Sequence, residues 1–244
     1  MRRVALRRGL VWFFWIVCFG LCFIASSLIA ELVVNLLQRF GLPWAINTTI
    51  GALSLRIVVY AVFTALFIGV SYYVAKKRLP SLGQLGIGRA PTFRDIVLAL
   101  SGAVIYVIIT LVTQYIFVKM TGLDTGQAQN LGISTRLYGV DLLAAYVVLV
   151  IAAPLFEEFI FRGAFYGQLR THGLGPWPVA IIVSALFGLV HGQWNVGIDV
   201  FCMSMVICYL REQTSSIWPG VIMHMMKNAV AFWFVFIAAQ SVTG

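Results

Sequence analysis

The stretch "PLFEEFIFRGAF", Pro154 to Phe165, places two adjacent glutamates and an arginine inside an otherwise apolar run. It is preceded by "LLAAYVVLVIAA" and followed, after a short turn, by "VAIIVSALFGLV". A charged side chain at membrane depth costs about 2.5–3.5 kcal/mol on insertion scales, so such residues mark a function or an ion pair. Neighbouring residues on a helix point about 100° apart, whereas residues four apart share a face. Glu158 therefore faces Arg162 as a carboxylate paired with a guanidinium. Glu157 has Phe161 four residues on. It is left for chemistry, unless it pairs with Arg56 or Lys227 of another segment.

The chain has three histidines. His172 falls in a turn and is expected to face solvent. His191 ends "FGLVH", four residues after Phe187, and His224 opens "HMMKN", four residues before Asn228. Each of these pairs occupies one helix face. Positions 158 and 191 are equidistant from the turn around Gly173, Gly175 and Pro176. An antiparallel helix pair then brings Glu157, Glu158 and His191 to one level, about 20 Å from the turn at ~1.5 Å per residue. His224 stands a turn or two in from the next turn on the same side. A glutamate, two histidines and an asparagine held away from bulk water suit hydrolysis. The glutamate serves as general base on a water that one histidine orients or polarises. The other histidine and the amide donate to the developing oxyanion.

Positioning such a set calls for helices in a bilayer. Of 244 residues, 61% are hydrophobic and 10% charged, and mean hydropathy is +0.96; soluble domains carry about 25% charged residues. The expected fold is all-α, a polytopic integral membrane helical bundle forming a single transmembrane domain over 1–244. Seven apolar segments are visible: Leu10–Leu37, Ile50–Ala75, Ile96–Val118, Leu142–Arg162, Trp177–Val190, Val196–Leu210 and Ile217–Ala239. An eighth span would have to lie in "TGLDTGQAQNLGISTRLYG", which reads as too polar. The fifth and sixth are short for a span of ~20 residues, which suits helices packed inside a bundle. The N-terminus begins like a signal peptide, but its apolar run from Leu10 to Ala30 exceeds the roughly 7–15 residues of such a core. It reads as an uncleaved first span.

The formal charge of +9 follows topology. With the N-terminus inside, cytoplasmic segments hold eleven basic residues (Arg2, Arg3, Arg7, Arg8, Lys76, Lys77, Arg78, Arg89, Arg94, Arg170, Arg211) against three outside (Arg39, Lys119, Arg136). This is the inner-side bias of membrane-protein loops, and it explains the charge without nucleic acid as a partner. The C-terminus is then outside if there are seven spans, and the candidate site lies in the cytoplasmic half. The 76–95 loop, with Leu79, Leu82, Leu85 and Ile87, reads either as an amphipathic element on the inner interface or as a connecting loop. Cys18, Cys22, Cys202 and Cys208 all fall in apolar runs and are expected to be inert small hydrophobes. Asp199, four residues after Asn195, is expected near the outer interface.

Three of these stretches together resemble a known family. "EEFIFR" fits E-E-x-x-x-R, "FGLVH" fits F-x-x-x-H and "HMMKN" fits H-x-x-x-N, in order and on successive apolar segments. The chain is similar in this respect to the CPBP family of intramembrane proteases, which takes in type 2 CAAX prenyl proteases and bacteriocin-processing or immunity proteins. "YLREQTSSIWPGVIMHMMKNAV" extends the similarity, which covers roughly 142–232; earlier spans resemble the family only in hydropathy and in "LGQLGI". The resemblance implies that Glu157 is the catalytic base and that His191 helps activate water. His224 and Asn228 then form the oxyanion-stabilising pair, and Glu158, Arg162 and Phe187 are supporting residues.

The resemblance leaves two catalytic types open, zinc-dependent and metal-free. No H-E-x-x-H is present, although Glu157, His191 and His224 could in principle bind zinc. The metal-free type, with no cofactor, is favoured because a Glu–His pair activates water without an ion. Expected partners are membrane lipid and a protein or peptide substrate, either prenylated or a peptide precursor, in a bacterial plasma membrane. Two rival readings are a proton-coupled transporter, since intramembrane Glu, Asp and His also relay protons, and a noncatalytic immunity or scaffold protein of the same fold. The absence of repeated halves or paired broken helices speaks against the transporter.

Overall fold

The computed structural model describes residues 2–43, 47–122 and 131–238, with side chains from residue 9 onward. Among the described residues are seven helices and no strand. They are α1 (Arg2–Arg39), α2 (Thr49–Val74), α3 (Phe93–Thr121), α4 (Gly139–Thr171), α5 (Pro176–Leu189), α6 (Trp194–Thr214) and α7 (Trp218–Ala238). Six are long and apolar enough to cross a membrane, and α5, at 14 residues, is shorter. The chain is an all-α, polytopic integral membrane protein. Of the polar stretch considered for an eighth span, residues 123–130 lie outside the described residues.

Local chemistry sets the helix ends. Thr48 Oγ1 accepts from Gly51 N at 3.0 Å to start α2, as N-cap hydroxyls do. At α3, Asp95 Oδ2 accepts from Thr92 N at 2.7 Å, while Arg89 clamps both Asp95 oxygens at 2.6 and 2.7 Å. Pro176 opens α5, where its missing N–H is not needed. Two helices outrun their apolar segments. α6 has 21 residues rather than the short span expected, because Arg211 and Glu212 find partners and do not stop it. α4 likewise continues past Arg162 to Thr171.

The residues cluster into two compact units, one holding 2–12, 81–122 and 158–224, the other 13–43, 47–80, 131–157 and 225–238 among those described. In the first, Val200, Met203 and Ile207 of α6 are fully buried. Gly188 and Gly197 let α5 and α6 meet backbone to backbone: a Cβ at Gly188 would lie 2.8 Å from Gly197 O. Such small-residue contacts are how membrane helices pack closely. Glu212 accepts from Arg170 Nη2 at 2.7 Å and from the Tyr166 hydroxyl.

The 81–89 loop docks through its backbone. A Cβ at Gly163 would meet Leu85 O at 2.8 Å, and one at Gly167 would meet Gln84 O at 2.7 Å. Arg211 Nη2 donates to Gln84 O at 2.9 Å and its Nε to Arg162 O at 3.1 Å. Residues 81–89 are therefore a pinned connecting loop, with Leu85 buried and Leu82 exposed; they form no helix. Gly163→Ala is expected to push the loop off α4 and to destabilise by about 1–3 kcal/mol, as overpacking does. Thermal unfolding in detergent measures this, and an unchanged midpoint would show that the contact carries no weight.

In the second unit, α1 and α2 interlock through aromatic rings. Phe19 meets Phe63 and Phe67 edge-on at 5.0 and 5.3 Å between centroids, and Trp15 meets Phe67 at 6.0 Å. Leu53, Ala145, Val150, Phe232 and Phe236 form its other apolar cluster. All four cysteines are free thiols.

Candidate active site

α4 is not a uniform helix. Its Val147–Ala152 and Phe159–Phe165 segments are wound as π-helix, with Ala153–Glu158 regular between them. π turns are rare and frequently sit at functional sites. Pro154 and Asn228 account for the first one. Ala153 N donates to Val148 O, five residues back. In that register the next donor would be Pro154, which has no N–H, so Leu149 O would be orphaned. Asn228 Nδ2 donates to Leu149 O at 2.9 Å and takes the missing donor's place. This uses one of the two N–H groups of the Asn228 amide.

In the first unit, four of the residues singled out by type and spacing gather around Phe187. Glu158 and Arg162 form the expected i,i+4 ion pair, 2.9 Å apart and both fully buried. Glu158 has a second partner that the helix-face argument did not supply: His224 Nδ1 lies 2.9 Å from the same Oε1. Glu158 and His224 thus form a buried Glu–His contact. Phe187, fully buried, offers its face to the Arg162 guanidinium at 4.4 Å, close enough for a cation–π attraction. Its ring also meets His191 and His224 edge-on, at 5.0 and 5.8 Å. Phe187 is therefore the common wall of the site.

The histidines are oriented by what their Nδ1 atoms touch. His191 Nδ1 lies 2.7 Å from Phe187 O. A carbonyl only accepts, so Nδ1 carries the hydrogen and Nε2 of the neutral ring keeps its lone pair. His224 Nδ1 likewise donates to a carboxylate. His172 is exposed at the C-terminal end of α4, as expected.

In the second unit, Glu157 is half-buried and accepts a hydrogen bond from the Tyr60 hydroxyl. Arg56 donates instead to Leu131 O at 2.8 Å. Tyr60 was missed by reading carboxylates and histidines alone. A signal was present: Arg56, Tyr60 and Thr64 recur every fourth residue on otherwise apolar α2, a polar stripe that one helix face must satisfy internally. Asp199, placed by sequence near the outer interface, accepts from Tyr106.

Among the described residues, no group of three or more His, Cys, Asp or Glu side chains is placed to hold a metal ion.

Residues 139–230 match the family described as type II CAAX prenyl endopeptidase, Rce1-like. Over 93 residues the chain is 27% identical to the Bacillus subtilis (strain 168) protein named "Putative membrane peptidase YdiL". That similarity covers 36% of this chain and 38% of the relative, so the chain spans well under half of the relative's length in the match. No solved structure matches the chain.

Proposed function

We propose that this chain is an intramembrane endopeptidase hydrolysing a peptide bond of a membrane-associated or lipidated protein or peptide. The observation that carries this reading is the buried Glu158–Arg162–His224 set, walled by Phe187 beside His191, inside helices that match a CAAX endopeptidase family. Charge is retained at membrane depth only where it is paired or used, and here two helices, α4 and α7, contribute to one such set.

In the proposed scheme, Glu157 is the general base and takes a proton from water as the water oxygen attacks the scissile carbonyl. His191, with Nδ1–H spent on Phe187 O, presents the Nε2 lone pair to a hydrogen of the same water. The carbonyl becomes an oxyanion, which His224 and Asn228 stabilise by donation. His224 donates from Nε2 as a doubly protonated ring, with its Nδ1–H held by the Glu158 carboxylate. Asn228 uses the N–H that Leu149 O does not occupy. Collapse of the tetrahedral intermediate breaks the C–N bond, and the proton held by Glu157 passes to the leaving amine. Glu158, Arg162 and Phe187 position the others and do not touch the reacting atoms.

The basic loops favour a cytoplasmic N-terminus and a site in the cytoplasmic half of a bacterial plasma membrane. The substrate is proposed to be a prenylated C-terminal segment or a peptide precursor. Purified protein in liposomes is expected to cleave a fluorogenic membrane peptide. Absence of cleavage together with pH-gradient-driven transport would replace this reading by the transporter.

No step in the scheme runs through a metal. Turnover is expected to survive dialysis against 1,10-phenanthroline, with far less than one zinc per purified chain. His224→Ala is expected to lower the rate about 10²–10³-fold, the loss typical of one oxyanion donor. Stoichiometric zinc that leaves with His224→Ala, and activity that follows the metal, would sink the metal-free scheme.

A further inference from the structure

The two adjacent glutamates are held in opposite ways, and the difference assigns a role to a residue of α2 outside the matched 139–230 region. We infer that Tyr60 is a positioning residue for Glu157, fixing the direction of its carboxylate for proton transfer; this rests on the endopeptidase reading above.

Glu158 is held by a guanidinium, which neutralises its charge and removes it as a base. Glu157 is held by a phenol hydroxyl. A phenol stays protonated at neutral pH and donates one hydrogen bond without adding a cation, so this contact orients the carboxylate without neutralising it. The grip is two-pointed. The Tyr60 ring stacks on Phe156, with centroids 5.9 Å apart and planes 10° from parallel. Phe156 and Glu157 are consecutive in α4, so ring and hydroxyl fix neighbouring residues of one helix. A glutamate side chain otherwise samples many rotamers, and ordering it in advance removes that entropy from the reaction barrier.

Tyr60→Phe keeps the ring and its stacking and deletes only the hydroxyl. It is expected to lower kcat about 10–100-fold, the range of a hydrogen bond to a charged group, with KM unchanged. In single-turnover assays on Glu157→Gln it is expected to cause no further loss, because groups that act as a unit are not additive. With 3-fluorotyrosine at position 60, the fluorine resonance is expected to move on Glu157→Gln, which reads the contact without any turnover. A wild-type kcat for Tyr60→Phe, an equal loss in both backgrounds, or an unmoved resonance would each overturn the assignment. Glu157→Gln at full rate would instead defeat the general-base reading. An inactive Glu157→Gln with fully active Tyr60→Phe defeats the positioning role alone.

Discussion

Glu157→Gln is expected to lower hydrolysis of a membrane peptide by about 10²–10⁴-fold, the usual worth of a general base. The amide has nearly the same shape as the carboxylate and still accepts from the Tyr60 hydroxyl. It cannot take a proton from water. Glu157 is half-buried, and the Arg162 guanidinium is paired with its neighbour Glu158, so the change leaves that buried ion pair intact. Expression and the thermal midpoint in detergent should therefore stay at wild-type values while the rate falls. This separation of rate from stability is what distinguishes a base from a structural carboxylate. Wild-type turnover in the Gln variant would end the assignment of Glu157.

Arg162→Ala is expected to have the opposite profile, losing stability together with activity. It leaves Glu158 fully buried without its guanidinium, and breaking one side of a buried pair costs about 3–5 kcal/mol. It also removes the cation from the face of Phe187, the ring against which both histidines pack. The paired variant Glu158→Gln, Arg162→Gln removes both charges, so it should regain part of the thermal midpoint. It should not regain the rate, since His224 Nδ1 then meets an uncharged amide where it met a carboxylate. Differential scanning in detergent, run beside the peptide assay, checks both statements. A single Ala variant as stable as wild type would show that the pair contributes nothing.

Much of this arrangement was legible in one dimension because helices have a fixed period. Glu158 and Arg162 are four apart, and an α-helical face brings such residues together whatever surrounds them. Hydropathy marked the seven helices of the described residues, since a lipid-exposed backbone must form its hydrogen bonds within the segment. Charge placement misled at the ends. Arg211 and Glu212 read as the start of a turn, yet they continue α6 because Gln84 O, Arg162 O and Arg170 meet them. No local pattern encodes those partners.

What the sequence by itself determined was the class of protein, the apolar segments that form the described helices and the polar residues that share a helix face, because residue type and spacing carry that content without any contact between segments. Tertiary structure decided which of those residues hold one another. The Glu158–His224 bond joins positions 66 apart, Tyr60 and Glu157 are 97 apart, and Asn228 reaches Leu149 across 79 residues. Pro154 shows the reason most plainly. Its missing N–H is visible in the sequence, but a carbonyl left without a donor only acquires a partner once another helix is packed against it.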